Sequence, residues 1–393
     1  MKAIPKTVII LGTVSLLTDA SSEMIYPLLP VFLSQTLGAG ALALGTIEGF
    51  AEATASILKL FSGIWADKVK HRKPFLVVGY GLAGIVRPLI GLAQSWGVVL
   101  ALRISDRIGK GIRSSPRDAM IADATPEEQR GSAYGFHRSM DHAGAVVGPL
   151  IAGALLFFGA SLRQVFLLAA VPAVLTILVL IFGLKEPARE NPVKISAADP
   201  LAKKPETPLT LRFKWLLTAI LIFTLGNSTD AFLLLKLSDS GISSGYVATL
   251  WSVHHVLKML STYWGGRASD RFGRKWLILS GWFVYSIIYL GFAWVQGPTG
   301  IVALFLAYGL YYGLTEPVEK AFVADLAPQN ARATAFGYYH FIIGVGALPA
   351  SLFFGWLWYR FGSASAFMVG AGLAAMAATI LFFMPMSSTS EKA

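Results

Sequence analysis

The sequence predicts an all-α polytopic membrane protein with twelve transmembrane helices, arranged as two parallel six-helix pseudo-repeats. Three observations support this: an apolar composition, apolar segments of membrane-spanning length, and two polar motifs that each occur twice. Of the 393 residues, 55% are hydrophobic and only 14% are Asp, Glu, Lys or Arg, whereas soluble domains carry about 25% charged residues. The mean hydropathy is +0.61. Apolar segments recur along the whole chain, so a single soluble core could not bury them.

Each predicted helix has the roughly 20 residues that cross about 30 Å of hydrocarbon. The first half of the chain contains segments at about 7–33, 45–66, 74–95, 97–119, 131–157 and 163–184. The second half contains segments at about 213–236, 245–267, 276–296, 299–322, 333–358 and 364–386.

The first predicted helix follows a basic start, "MKAIPK", which is also how a secretory signal begins. The apolar segment continues through "MIYPLLPVFL", and no small-x-small cleavage site is obvious. We therefore expect an uncleaved first span.

Loop charges predict the orientation. The segments 67–73, 185–208 and 270–275 are rich in Lys and Arg, whereas "SQTLGAGALALG" and "AQSWG" carry no charge. The positive-inside rule places the basic loops and both termini in the cytoplasm, in a bacterial inner membrane. The formal charge of +11 therefore indicates membrane topology and not a nucleic-acid partner. With no cysteine, disulfides, thiolate metal sites and Cys nucleophiles are excluded, and we expect no cofactor or metal.

Three regions follow from the polar interval at the midpoint of the chain. We predict an N-terminal bundle over 1–184, a flexible cytoplasmic linker over 185–211, and a C-terminal bundle over 212–393. "GIWADKVKHRK" and "DATPEEQRGSAYG" in the first bundle correspond to "GRASDRFGRK" and "DLAPQNARATAFG" in the second, at nearly the same offset. An even number of helices per repeat makes the two repeats parallel.

The first of these motifs resembles the cytoplasmic-loop signature of the major facilitator superfamily, G-x-x-x-D-[RK]-x-G-R-[RK]. One copy has Gly63, Asp67, Lys68, Arg72 and Lys73, and departs from the signature at Lys70 and His71; the other has Gly266, Asp270, Arg271, Gly273, Arg274 and Lys275. The resemblance covers the whole chain and implies a transporter. We expect a cytoplasmic gate in which Asp67 caps a neighbouring helix N-terminus and Arg72 pairs with Asp118 or Asp123. The alternative is that these charges only enforce topology.

The fifth predicted helix resembles the G-x8-G-x3-G-P-x2-G-G signature of drug/proton antiporters in that superfamily. The matching residues are Gly135, Gly144, Gly148, Pro149 and Gly153, with Ala152 in place of one glycine. Gly144 and Gly148 lie one turn apart and permit close helix approach, and Pro149 bends the helix. This resemblance favours export. The alternative is ordinary glycine-mediated packing.

The fourth predicted helix carries charge where lipid is expected. Arg103, Asp106, Arg107, Lys110 and Arg113 follow steps of three and four, so they share one face. A charge facing lipid costs at least a few kcal/mol, so this face must line water or protein. Arg103 with the glycines that follow resembles a pattern of this helix associated with proton coupling in the family, although Asp106 and Arg107 depart from it.

A proton carrier needs a carboxylate that changes protonation with its exposure to a cavity. Asp19 and Glu23 lie on one face of the first helix and are our preferred carriers, with Arg103 or Arg107 as counter-ion. Asp141 beside Arg138 is the reserve.

The substrate cavity is expected to draw on both halves of the chain. An excess of basic residues in the first half suggests an anion, such as a carboxylated or phosphorylated metabolite or a siderophore-like chelate, and tyrosines could stack on an organic body. The alternative for each polar residue is a fixed interhelical ion pair. The candidates are Tyr26, Arg87, Lys110, Arg113, His137, Asp230, His254, Tyr311 and Glu316.

The sequence thus predicts a proton-coupled exporter of a small organic compound that works by alternating access. The alternative is a proton-coupled importer of an organic anion. A receptor of transporter-like fold or an intramembrane enzyme is disfavoured, since the chain has no catalytic constellation. The expected partners are the substrate, protons and the lipid bilayer, with the chain a monomer.

Overall fold

The computed structural model describes residues 4–39, 41–186, 209–242 and 244–385, and this part of the chain is helical, without β-strands. The helices of the N-terminal half are α1 (Lys6–Glu23), α2 (Ala41–Ala66), α3 (Lys73–Leu89), α4 (Trp96–Asp123), α5 (Arg130–Phe157) and α6 (Leu162–Gly183). Those of the C-terminal half are α7 (Leu211–Gly226, then Ala231–Asp239), α8 (Ser244–Phe272), α9 (Arg274–Trp294), α10 (Pro298–Leu326), α11 (Arg332–Phe361) and α12 (Ser363–Phe382).

Nine helical segments of the described chain are long and apolar enough to cross a membrane. The three long helices outside that set, α2, α4 and α8, carry charged side chains within their length. The chain is an integral multi-pass membrane protein.

Local sequence sets where the helices begin. The Ser95 hydroxyl accepts a hydrogen bond from the Val98 N–H at the start of α4, and Ser161 with Gln164 forms a capping box at the start of α6. Gly273 (φ 88°) and Gly362 (φ 85°) make the sharp turns before α9 and α12, in a backbone region that favours glycine.

Two predicted helices are interrupted. The segment predicted at 7–33 ends as a regular α-helix at Glu23 and continues in short helical turns to Thr36, because Pro27 and Pro30 cannot donate backbone hydrogen bonds. The segment predicted at 213–236 breaks after Gly226, where the sequence "NSTD" holds residues that compete with helical hydrogen bonding. The helices predicted at 97–119 and 299–322 extend to Asp123 and Leu326.

The two halves pack through α5 against α8 and α2 against α11. Glycines allow this close approach: a Cβ on Gly135 would lie 2.6 Å from the Thr262 carbonyl oxygen, and one on Gly337 would lie 3.1 Å from the Leu60 carbonyl oxygen. α6 ends at Gly183 and α7 begins at Leu211. Residues 187–208 of that linker lie outside the described residues.

Candidate functional site

The N-terminal half contains a polar cavity of about 170 Å³, here called the N-half cavity. The five α4 residues predicted to share a face all line it, together with side chains from α1 and α3. The full lining is Asp19, Ser22, Glu23, Tyr26, Arg87, Arg103, Asp106, Arg107, Lys110 and Arg113.

Some of these charges form fixed pairs. The Arg87 Nε donates to Asp106 at 2.7 Å, and the Arg103 guanidinium donates to Glu48 at 2.8 and 3.0 Å and to Asp106 at 3.4 Å. Arg103 also lies 5.5 Å from the ring centroid of the exposed Tyr26. Asp106 is therefore neutralised by two arginines, which leaves it a poor proton carrier.

Glu48 is a member of this cluster that the sequence reasoning missed. It belongs to α2, where Glu48 and Glu52 are spaced four apart inside a mainly apolar helix. The same spacing drew attention to Asp19 and Glu23 in α1, so the signal was available.

The other charges in the N-half cavity, apart from a long contact of Arg107, have no fixed partner in the described structure. The carboxylates of Asp19 and Glu23 and the ammonium of Lys110 form no hydrogen bond or ion pair with another side chain there. The guanidinium of Arg113 stacks 4.2 Å from the Tyr80 ring centroid, and its Nε and Nη1 are buried without an acceptor. Arg107 reaches only to 4.0 Å from Glu48. This cavity thus contains acids and bases that are free to respond to protons or to a ligand.

The antiporter-like motif of α5 holds α1 in place beside this cavity. A Cβ on Gly144 would lie 2.9 Å from the Cβ of Asp19, and a Cβ on Gly148 would lie 2.9 Å from the Cβ of Glu23. Pro149 lies inside the helix, whereas Gly153 faces open space with nothing within 4 Å. Two of the motif glycines therefore bring α5 against the two unpaired acids.

A second cavity of about 400 Å³, here called the C-half cavity, is lined mainly by the C-terminal half. The Asp230 carboxylate accepts hydrogen bonds from Lys258 at 3.0 Å and from the Tyr312 and Tyr308 hydroxyls at 3.0 and 3.2 Å. The other charged or aromatic residues that line the C-half cavity are Glu52, Phe223, Tyr311, Glu316, Glu319 and Tyr339. An aromatic wall with acids suits an organic molecule.

His254 does not line either cavity. It is fully buried and stacks on Tyr308, with ring centroids 5.7 Å apart. Its ring also stacks on Phe305, with centroids 4.7 Å apart.

A third polar cluster joins the two halves. Arg138 of α5 donates to both carboxylate oxygens of Glu316 on α10, at 2.6 and 2.7 Å, and also to Asp141 at 3.0 Å. His142 lies 3.4 Å from Glu316, and His137 lies 3.8 Å from Asp141. The reserve pair Arg138–Asp141 is therefore part of a contact between the halves, as are the predicted cavity residues His137 and Glu316.

The signature loop after α2 forms what we call the first latch. Asp67 accepts hydrogen bonds from the N–H groups of Ala333 and Thr334, at 3.2 and 2.7 Å, in the first turn of α11. Arg72, fully buried, donates to Asp67 at 2.7 Å and to Asp123 at 2.5 Å. The expected helix cap and the expected Arg72–Asp123 pair are thus both present, and Asp123 also accepts from Arg332 at 2.6 Å.

The end of α8 and the start of α9 form a matching second latch. Asp270 accepts from the N–H groups of Gly131 and Ser132, at 2.8 and 2.7 Å, in the first turn of α5. Arg274 pairs with Asp270 at 2.6 Å and with Asp325 at 3.1 Å. Arg130 donates to Asp325 at 2.7 Å, as Arg332 does to Asp123. Each half therefore accepts hydrogen bonds from the first turn of a helix in the other half.

The remaining gate candidates differ in their roles. Gly63 faces the Ala333 carbonyl and Gly266 faces Gly131, so both permit the close contacts beneath the latches. Asp118 does not pair with Arg72; it accepts from His340 at 2.8 Å and lies 3.0 Å from Lys320. Lys68 and Arg271 are exposed.

Both latches lie at one end of the helices, and the N-half cavity lies toward the other. α4 ends at Asp123 in the first latch. Arg103 precedes it by 20 residues, which is about 30 Å along an α-helix. The cross-half contacts named above run from the latches to the cluster of Arg138, His142 and Glu316. They therefore close the latch end of the molecule.

Comparisons with known proteins agree with this architecture. The sequence model of the Major Facilitator Superfamily matches residues 11–347 and 233–393. An uncharacterized MFS-type transporter of Methanocaldococcus jannaschii is 34% identical, over 98% of this chain and 96% of its own. The multidrug resistance protein MdtG of Escherichia coli is 26% identical, over 91% of this chain and 89% of its own.

A solved structure, that of the human organic anion transporter MFSD10 (TETRAN), superimposes with a TM-score of 0.80 at 15% identity, over 96% of this chain and 99% of its own. At that identity the likeness supports the fold alone. From the family match and the full-length relatives, the chain belongs to the major facilitator superfamily and is a membrane transporter, not an enzyme.

Proposed function

We propose that this chain is a proton-coupled secondary transporter that exports a small organic compound by alternating access. The observation that carries the proposal is the pair of unpaired carboxylates, Asp19 and Glu23, in a cavity shared with unpaired cations. Relatives named as multidrug resistance and efflux proteins support export. In this proposal Asp19 or Glu23 carries the proton, and Arg107 and Lys110 supply positive charge beside it.

We further propose that all of the helices α1 to α12 cross the membrane, as two parallel six-helix repeats. The matched latches support the repeat, because Asp67 and Asp270 make the same contact in opposite directions. Helices α2, α4 and α8 cross because their polar faces meet protein or a cavity instead of lipid. Loop charges place the latches and both termini in the cytoplasm, in a bacterial inner membrane, with the chain active as a monomer.

The working cycle follows from the contacts. With both latches formed, the cytoplasmic end is closed and the N-half cavity opens to the outside, where Asp19 and Glu23 exchange protons. Release of the latches lets the halves rock about the central cluster of Arg138 and Glu316, which exposes both cavities to the cytoplasm.

A second candidate is proton-coupled import of an organic anion, such as a carboxylated metabolite or a siderophore-like chelate. The observation that favours it is the charge of the N-half cavity, whose lining holds five basic and three acidic residues. A positive pocket attracts anions.

Everted membrane vesicles with an imposed pH gradient test the proposal. An exporter accumulates its substrate in these vesicles, whereas an importer does not, and a panel of anionic and cationic compounds identifies the substrate class. Asp19→Asn and Glu23→Gln should each reduce pH-driven accumulation, with Asp239→Asn, an exposed acid, as the matched control. If both cavity variants retain full pH-driven transport, the choice of proton carriers is wrong.

A further inference from the structure

We propose that Arg107, Lys110 and Arg113 form a binding site for an oxyanion group, and that the anion and a proton occupy the N-half cavity together. The inference deepens the second candidate function, proton-coupled import of an organic anion, and rests on the proposed assignment of Asp19 and Glu23 as proton carriers.

The first step concerns positive charge that has no fixed partner. Arg113 is only 4% exposed, and two of its guanidinium nitrogens are buried without an acceptor. A buried donor left unsatisfied costs free energy, more so when it is charged. The Nε of Arg107 is likewise buried without an acceptor, and the Lys110 ammonium forms no ion pair. Of these three cations on one face of α4, Lys110 and Arg113 have no anionic partner among the described residues, and Arg107 has only Glu48, at 4.0 Å.

The second step concerns what fits. The N-half cavity measures about 170 Å³, below the roughly 300–1,000 Å³ of sites that enclose a drug-sized ligand. It can therefore enclose a small charged group. Planar guanidinium groups match carboxylate, phosphate and sulfate oxygens geometrically. An oxyanion is the ligand that these donors would satisfy.

The third step concerns protons. The charged groups that face Asp19 and Glu23 are Arg107, Lys110 and Arg113 from α4, Arg87 from α3, and Asp141 from α5. α6 also packs against α1, and its contact there is neutral: the Thr18 hydroxyl donates to the Thr176 hydroxyl at 3.3 Å. Asp141 is held by Arg138, and Arg87 by Asp106. The two unpaired acids and an incoming anion therefore compete for the same three cations.

Protonation of Asp19 or Glu23 removes that competition, so a proton and an anion favour each other's binding. Joint binding is what a symporter needs, whereas an antiporter needs the two ligands to exclude each other. If the transported compound places an acidic group in the N-half cavity, the compound and the proton cross the membrane in the same direction. The sign of the coupling therefore discriminates between the two directions considered above.

The test is a titration of the purified full-length protein, followed by thermal unfolding or calorimetry. The probes are sulfate, benzoate and benzylamine, each against chloride at matched ionic strength, in acidic and in alkaline buffer. We expect sulfate or benzoate to bind, more tightly in the acidic buffer, and benzylamine not to bind. Stabilisation by sulfate alone assigns the site to a free inorganic oxyanion, and stabilisation by benzoate assigns it to an organic acid.

Variants identify the site. Lys110→Gln, at a half-buried cavity position, should weaken oxyanion binding by about tenfold or more through loss of a charge-assisted hydrogen bond. Arg113→Lys is the second variant and should weaken it while keeping the charge. Lys236→Gln is the matched control, a half-buried lysine that donates to the Ser363 hydroxyl instead, and should bind the oxyanion as the wild type does.

Failure of both oxyanions to bind, equal binding of benzylamine, or tighter binding in alkaline buffer would overturn the inference. Proton-driven flux without oxyanion binding leaves the proposed function standing and removes the inference alone. Oxyanion binding without any flux in vesicles keeps the inference and overturns the proposed function.

Discussion

Replacing Asp67 by Asn should loosen the first latch and shift the molecule toward a form that is open at the latch end. Asp67 is 3% exposed and Arg72 is fully buried. The carboxylate accepts two backbone N–H groups of α11 and pairs with Arg72. An asparagine has no charge and only one accepting oxygen, so it keeps at most part of this contact.

The size of the shift follows from these contacts. A hydrogen bond to a charged group contributes about 1.5–3 kcal/mol. Arg72 keeps Asp123 as a partner at 2.5 Å, so no unpaired buried charge is left and one such contribution is lost. The ratio of open to closed molecules should therefore rise roughly 10- to 150-fold.

Because the chain has no cysteine, spin labels can be placed without a background. Cysteines at the exposed His71 of the N-terminal half and the exposed Leu211 of the C-terminal half report the separation of the halves by electron–electron resonance. Asp67→Asn should populate a longer distance than the wild type does. The exposed Asp239, replaced by Asn, removes the same charge elsewhere and should change nothing. An unchanged distance distribution in Asp67→Asn would refute this account of the latch.

Three further outcomes follow. Asp270→Asn should open the second latch in the same assay, and its free-energy effect should add to that of Asp67→Asn because the two latches share no residue; a double variant no more open than either single one contradicts this. Gly148→Ala should lower thermal stability by roughly 1–3 kcal/mol, since its Cβ would lie 2.6 Å from the Ala20 carbonyl oxygen, whereas Gly153→Ala, with nothing within 4 Å, should be neutral. Arg138→Met should destabilise the protein by about 1.5–3 kcal/mol, and adding Glu316→Leu should recover part of the loss in a double-mutant cycle; no recovery would argue against their pairing.

Spacing along the chain predicted several contacts of the site. Steps of three and four placed Arg103, Asp106, Arg107, Lys110 and Arg113 on one face, because helical geometry alone decides which residues share a face. The latch contact of Asp67 was also foreseeable, because a carboxylate at the end of one helix is stabilised by the positive N-terminus of a neighbouring helix.

The choice of partner was not foreseeable in the same way. Asp106 was expected on the charged face of α4, but its pairing with Arg87 on α3 was not predicted, and Asp118 pairs with Arg117, His340 and Lys320 instead of Arg72. Which charges pair depends on how helices pack in three dimensions, and one-dimensional spacing within a helix does not contain that information. The break in α7 was also missed. The polar segment there is short, and the apolar residues on both sides of it fit one continuous helix.

The pairing of Arg138 with Glu316 illustrates the same limit across the two halves. Arg138 was paired in sequence with the nearby Asp141, and that contact exists at 3.0 Å. Its shorter contacts, however, reach Glu316 on α10. A contact between residues so distant along the chain required the folded structure.

The most direct measurement of alternating access is labelling of Ser22→Cys by a membrane-impermeant maleimide applied to each side of the membrane in turn. Ser22 lines the N-half cavity between Asp19 and Glu23, and its cysteine would be the only one in the chain. We predict labelling from the outside in the otherwise wild-type protein, and from the cytoplasmic side once Asp67→Asn and Asp270→Asn are both present. Labelling from the same side in both proteins would contradict the account.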